Sequence, residues 1–300
     1  MITVVGSINL DLIANVERLP AAGETVPGST FRTAPGGKGA NQALAAARAG
    51  GKVRMVGAVG KDAFATEALA LLREGGVDLS GVREAAAATG VALIFVDRHG
   101  ENVIVVVAGA NGTVLPGDLA KADFRKGDVV LLQHEVPLET VETALDSARK
   151  AGARSILNTA PFRPEAAHLL AQADHVVANE TEFDLYADAL GLAGDDRESR
   201  MRAFAAETGR IVVVTLGGDG VVAVEANRVL RVPALSVTPV DTVGAGDTFC
   251  GYLAAGLSEG LPLERALARA AAAGSLACTK HGAQPSIPSR SEVDAALKTA

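Results

Sequence analysis

The chain is 300 residues long, 48% hydrophobic, and carries a formal net charge of -7 at pH 7. That length and apolar content allow a large buried core, while the acidic balance excludes a nucleic-acid surface, because no surplus of Lys and Arg is available to neutralise phosphates. Two cysteines, Cys250 and Cys278, exclude a disulfide framework and point to a reducing compartment.

Residues 2–6 read as a short apolar strand with no basic region of a signal peptide before it. The longest apolar stretches, 103–108 and 211–216, are far too short to span a bilayer, so no membrane partner and a cytoplasmic location are expected. Residues 10–34 read as extended chain without a helix. A helix over 40–49, a strand over 54–59 and a helix over 63–74 follow. In 89–108, the runs 91–97 and 102–107 form a hairpin joined by Arg98-His99-Gly100-Glu101. Beyond it, strands at 128–133, 155–158, 175–178 and 211–216 are separated by helices at 138–150, 180–190 and 197–208. Residues 229–240 read as extended, since β-branched residues and Pro233 and Pro239 exclude helix there, and 248–257 is helical.

Apolar strands alternating with amphipathic helices predict an α/β fold with a mostly parallel central sheet and helices on both faces. No composition shift marks a boundary, so 1–300 reads as one large domain, with 10–34 and 89–108 forming a small separate sheet. The alanine runs 85–88 and 268–273 read as compositional.

Chemistry concentrates in two glycine-rich stretches. Asp241-Thr242-Val243-Gly244-Ala245-Gly246-Asp247 precedes the helix at 248–257, so it reads as a strand-to-helix turn whose free N–H groups can hold an anion. Gly244 and Gly246 allow close backbone approach, and N–H groups of Gly244, Ala245 and Gly246 face the anion. Asp247 beside it is ill-suited to binding phosphate but well suited to taking a proton from an attacking hydroxyl. An acidic capping residue after a turn is the plain alternative.

The second stretch is Pro35-Gly36-Gly37-Lys38-Gly39-Ala40-Asn41-Gln42. It is not a phosphate loop, because Gly39 stands where Ser or Thr is needed after Lys38. It is not a dinucleotide fingerprint either, since Gly6 is followed by Ser7 and Ile8, and this removes an oxidoreductase reading. A glycine turn that brings backbone and the Asn41 amide against a small polar ligand is what remains. His99, His134, His168, His175 and His281 show no zinc-ligand spacing, and His134 before Glu135 reads as structural.

Together with Gly6-Ser7-Ile8-Asn9-Leu10-Asp11, Asn179-Glu180-Thr181-Glu182 and Gly282-Ala283-Gln284-Pro285-Ser286, these stretches resemble the ribokinase family of carbohydrate kinases over nearly the whole chain. The resemblance implies ATP-dependent phosphorylation of a sugar, with D-ribose at its 5-hydroxyl the first expectation. Deoxyribose, another sugar or a nucleoside are alternatives, as is a non-catalytic sugar-binding protein. By resemblance, Asn9, Asp11, Gly37, Lys38, Asn41 and Glu135 contact the sugar. Asn179, Glu182, Thr215, Gly217, Gly220 and Gly246 lie at the nucleotide and its magnesium. Asp241, Val243, Ala277, Lys280, Gly282 and Ser286 surround a potassium-type cation, mostly through backbone carbonyls. The segments 10–34 and 89–108 are expected to form a lid over the sugar and to pair with a second subunit's lid.

Overall fold

The computed structural model describes residues 1–299. The chain begins with β1 (Ile2–Val5), continues through β2 (Asn9–Val16) and β3 (Gly28–Gly36), and enters α1 (Lys38–Arg48). Next come β4 (Val53–Gly60), the short helices α2 (Ala63–Ala68) and α3 (Ala70–Glu74), and the strands β5 (Asp78–Ala85), β6 (Gly90–Val96) and β7 (Asn102–Val107). Then β8 (Val129–Leu132), α4 (Leu138–Ala151), β9 (Arg154–Asn158), α5 (Ala167–Leu170), β10 (His175–Asn179), α6 (Glu180–Leu190), α7 (Arg197–Thr208) and β11 (Ile211–Thr215) alternate. A hairpin of β12 (Val221–Glu225) and β13 (Arg228–Val232) precedes α8 (Ala245–Ser258), α9 (Leu263–Ala277), α10 (Ala283–Ser286) and α11 (Arg290–Thr299).

The central sheet has the order β13-β12-β11-β10-β9-β8-β1-β4-β5, parallel from β11 to β5 and antiparallel at β12 and β13. Its middle strands are buried on both faces, which is why they read as unbroken apolar runs. Ile2 and Val4 of β1 pack into the layer of α1, α8 and α9, whereas Val5 turns to the layer of α4, α6 and α7. The chain leaves β1 towards β4 on one side and returns to β8 on the other. The crevice beyond the ends of β1 and β8 is therefore a topological switch point, where open α/β sheets bind ligands.

A second, four-stranded sheet has the order β3-β2-β6-β7, with β2 and β6 parallel. The β6–β7 hairpin turns where the sequence places it, with Asp97 N–H donating to Glu101 O at 2.9 Å.

Several expectations need correction. The helix expected over 63–74 breaks at Leu69 into α2 and α3. Strands β5 and β12 were absent from the expected set: β5 is an edge strand with alternating polar residues, and β12 continues after a glycine loop. The extended run 229–240 is a strand only to Val232, since Pro233 and Pro239 lack the N–H a ladder needs. The turn before Asp247 is thus reached by irregular chain and not directly from a strand. The alanines of 268–273 are no accident of composition, because Ala270, Ala271, Ala272 and Ala273 bury α9 against the core.

Small residues also let α1 and α8 approach closely. A Cβ added to Gly251 of α8 would lie 2.5 Å from both Ala45 Cβ and Gln42 O of α1. Gly251→Ala is expected to lower the thermal midpoint by roughly 3–10 °C, the cost of overpacking by one methyl group. Calorimetry showing no shift would mean that the two helices can part without strain.

Candidate active site

Three cavities meet at the N-terminus of α8. The largest, about 680 Å³, is lined by Asp247 and Gly244 of α8's start and by residues following β1 and β8. A smaller one, about 210 Å³, shares Lys38, Gly244 and Asp247 with it and is also lined by Asn179, Glu182 and Thr215. The third, about 500 Å³, shares Thr215 and Gly246 with the second and runs along Gly217, Gly220 and α9. Gly246 has open space where a Cβ would stand, so the helix start faces the second and third cavities with bare backbone.

In the largest cavity the sequence-expected residues Asn9, Asp11, Gly37, Lys38, Asn41, Glu135 and Asp247 all come together. Gly37 has φ 87°, a left-handed value that favours glycine, and its turn lets β3 run straight into α1. Ser7 Oγ donates to Glu135 Oε2 across the switch point, and Lys38 N–H donates to the same oxygen at 3.1 Å. Asn111 Nδ2 donates to Asn9 Oδ1 at 2.7 Å, which directs the Asn9 amide nitrogen elsewhere. Asp247 is buried and accepts from Asn41 Nδ2 and Gln42 Nε2, each at 2.9 Å. The Asn41 Oδ1 atom is buried without a partner, an acceptor waiting for a hydroxyl.

The charges in this cavity act on one another. Burial, then the carboxylates of Glu135 and Asp247, push Asp11 up to about 7. Burial alone would draw Lys38 down, but Asp247, Glu135 and Glu182 outweigh it and hold the ammonium above its ordinary 10.5. Lys38 is therefore a firm cation in the wall between the two cavities. His134 fills the wall as a neutral group, its proton affinity lowered by burial to about 4, with Nδ1 3.1 Å from Tyr186 OH.

In the second cavity, Asn179 and Glu182 form a reciprocal cap at the start of α6: Glu182 N–H donates to Asn179 Oδ1 at 2.7 Å and Asn179 N–H to Glu182 Oε2 at 3.1 Å. Burial raises the proton affinity of Glu182 above its ordinary value. Ala245 N–H points to Thr242 O at 3.3 Å, a long contact that it must share to serve an anion. Gly220 has a structural task besides lining the third cavity, because a Cβ there would lie 2.1 Å from Val232 O.

Residues 1–290 match the model of the pfkB family carbohydrate kinases. A ribokinase of Bacillus subtilis is 38% identical over 298 residues, covering 99% of this chain and 99% of that protein. This chain belongs to the pfkB family. The crystal structure of a ribokinase from Thermotoga maritima has a TM-score of 0.91 at 35% identity, covering 99% of each chain. A structure of an Arabidopsis thaliana ribokinase complexed with ribose and ATP has a TM-score of 0.88 at 33% identity, covering 100% of this chain and 99% of that one.

For a pfkB kinase, the segments around Asp241 are of interest, and the structure draws them together. Asp241 Oδ1 accepts from Val243 N–H at 3.0 Å and Oδ2 from Gly282 N–H at 2.9 Å. Lys280 N–H reaches Ala277 O at 3.4 Å, while its ammonium turns outward to Glu292. Ser286 Oγ donates to Ala283 O at 2.8 Å, so its hydroxyl is already engaged. Asp241 is thus a brace between two loops, and its replacement would loosen both. Among the described residues, no group of three or more His, Cys, Asp or Glu could hold a metal ion.

Sequence reasoning missed Asn111 and gave no role to Ser7, Gln42, Gln133 or Asn158. Ser7 and Gln42 lie inside the quoted motifs, whereas Asn111 sits in a 3-10 turn with no recognisable spacing.

Asp11 yields a test of the site's electrostatics. Its folded proton affinity exceeds the ordinary 3.8, so its contribution to stability is present below that value and lost as pH rises through about 7. Asp11→Asn should therefore gain thermal stability over the parent as pH rises from about 5 to about 8. Parallel melting curves with a constant gap across that range would mean that Asp11 is not perturbed.

Proposed function

We propose that the protein transfers the γ-phosphoryl group of ATP to O5 of D-ribose, giving ribose 5-phosphate and ADP. The observation that carries this reading is Asp247 on the wall shared by the cavity with sugar-binding chemistry and the small anion pocket at the start of α8. Ribose is a ring of hydroxyls, and Asn9, Asp11, Asn41 and Glu135 offer amides and carboxylates to pair with them. Ala92, Ile94, Ile104 and Val106 of the second sheet supply an apolar wall to the same cavity, which supports reading that sheet as a lid grown from one large α/β domain.

Asp247 accepts the proton of the 5-hydroxyl as that oxygen forms its bond to the γ-phosphorus and the bond to the β-phosphate oxygen breaks. The N–H groups of Gly244, Ala245 and Gly246 hold the charge on the transferring group, and Lys38 adds a cation at the boundary of the two cavities. Thr215, Gly217 and Gly220 flank the nucleotide in the third cavity. Bound with ATP, magnesium neutralises phosphate oxygens, and because it keeps several waters, Asn179 and the half-buried Glu182 suffice to hold its hydration shell. The loops joined by Asp241, with carbonyls at Val243, Ala277, Lys280, Gly282 and Ser286, fit a potassium-type ion that needs oxygen ligands and little charge.

The exposed edge strand β7, with Val103 to Val107 each about half exposed, and Phe31 at 67% support a homodimer formed through the lid. No helix among the described residues is long and apolar enough to cross a membrane, and two unpaired cysteines suit the cytoplasm.

A coupled ADP-release assay tests the reading directly. Ribose should be turned over faster than 2-deoxyribose, fructose, tagatose or adenosine; preference for adenosine would overturn the ribose assignment. Asp247→Asn should lower turnover by roughly 10²–10⁴-fold with little change in ribose or ATP binding. Retention of more than about a tenth of activity would show that Asp247 is not the base. Activity should also rise with potassium and much less with sodium at equal ionic strength, which separates binding from screening. Equal rates in potassium, sodium and a bulky organic cation would remove the cation site and leave the kinase.

A further inference from the structure

The amides that hold Asp247 are themselves held. Gln42 is fully buried, and its Nε2 donates to Asp247 Oδ1 at 2.9 Å and to Asn158 Oδ1 at 3.1 Å. Its Oε1 accepts from Gln133 Nε2 at 2.6 Å. Rotating this amide by half a turn would set Oε1 against two acceptors, so only one orientation satisfies all three neighbours. Asn158, at the end of β9, is anchored by its Nδ2, which donates to Val177 O at 3.2 Å. Gln133 follows β8, and its Oε1 has no partner, so its amide is committed to Gln42. Gly6 leaves room for this, since a Cβ there would lie 2.0 Å from Gln133 Oε1. A chain of amides thus runs from the ends of two strands through α1 to the first turn of α8.

We propose that Gln42, clamped by Gln133 and Asn158, is a positioning residue that fixes the plane of the Asp247 carboxylate. Asn41 alone holds one oxygen and leaves the group free to turn about its last torsion. A second donor on the other oxygen stops that rotation and keeps the remaining lone pairs facing the cavities that Asp247 lines. A base must meet the hydroxyl in one geometry, and a displacement of about 1 Å costs about 10²-fold in rate. Gln42 touches neither of these cavities, so its effect on turnover passes through Asp247.

The inference rests on Asp247 being the base, and the experiment separates the two. Gln42→Met keeps the length of the side chain and removes its polar atoms. Its kcat for ribose should fall roughly 10- to 100-fold, while calorimetric ribose affinity stays within about twofold, because no sugar contact is lost. Gln133→Met, which keeps Gln42 but releases it, should lower kcat by a smaller factor and add nothing further to Gln42→Met, as members of one chain do. A Gln42→Met enzyme with kcat within about twofold of the parent overturns the proposal, as does a fall in kcat matched by an equal loss of ribose and ATP affinity. If Gln42→Met fails to fold, Gln133→Met decides: unchanged kcat there overturns it. Asp247→Asn made alongside tells the two failures apart. Retained activity in it removes the base and the positioning role together, whereas an inactive Asp247→Asn beside a fully active Gln42→Met removes the positioning role alone.

Discussion

A carboxylate removed from water must be met by hydrogen-bond donors. In this fold that demand falls on Asp247, and the answer comes from Asn41 and Gln42 of α1, 206 and 205 residues away along the chain. Asn41 and Gln42 are adjacent on α1 and reach one oxygen each. They can do so because α1 and α8 touch at glycine and alanine, with Gly251 set against Ala45. The packing of two helices and the placement of one side chain are therefore a single requirement. The switch point between β1 and β8 supplies the floor on which both helices rest.

Much of this is legible in the sequence. The strands at 128–133 and 175–178 are short apolar runs because they are buried on both faces, and the helices α6 and α7 fall where their caps lie. Asp247 and the Gly36–Asn41 turn stood out through the resemblance of several stretches taken together, since each alone also reads as a plain cap or turn. What escaped notice has physical causes. The edge strand β5 is only half apolar, so its period is blurred by polar residues facing solvent. Residues 233–244 follow no ladder and no helix, and their positions are set by bonds such as Leu235 N–H to Ser275 Oγ at 3.1 Å. Side-chain chains such as Gln133 to Gln42 join residues 91 positions apart, and no local pattern announces them. The loops about Asp241 are joined through backbone N–H groups of Val243 and Gly282, which every residue but proline possesses.

The central sheet and the four-stranded sheet line different parts of the largest cavity. In the largest cavity, polar groups come from the ends of β1 and β8 and from α1, which are fixed by the core. Apolar contacts come from β6 and β7, whose other side is open to solvent. The polar wall is thus set by the core, and the apolar wall by a sheet with one side open to solvent.

The charges of the largest cavity have a consequence for what leaves it. Asp11, Glu135 and Asp247 share that space with Lys38, while Arg163 at its rim is paired with Glu165 at 2.8 Å. The rise of Asp11 to about 7 comes first from burial and then from the neighbouring carboxylates of Glu135 and Asp247. A neutral sugar enters without opposing this field. For a sugar held there as we propose, phosphorylation would bring up to two negative charges towards the same carboxylates. The arrangement we propose to accept a neutral sugar would therefore set these carboxylates against the charge of a phosphorylated one, leaving Lys38 and the start of α8 to offset it.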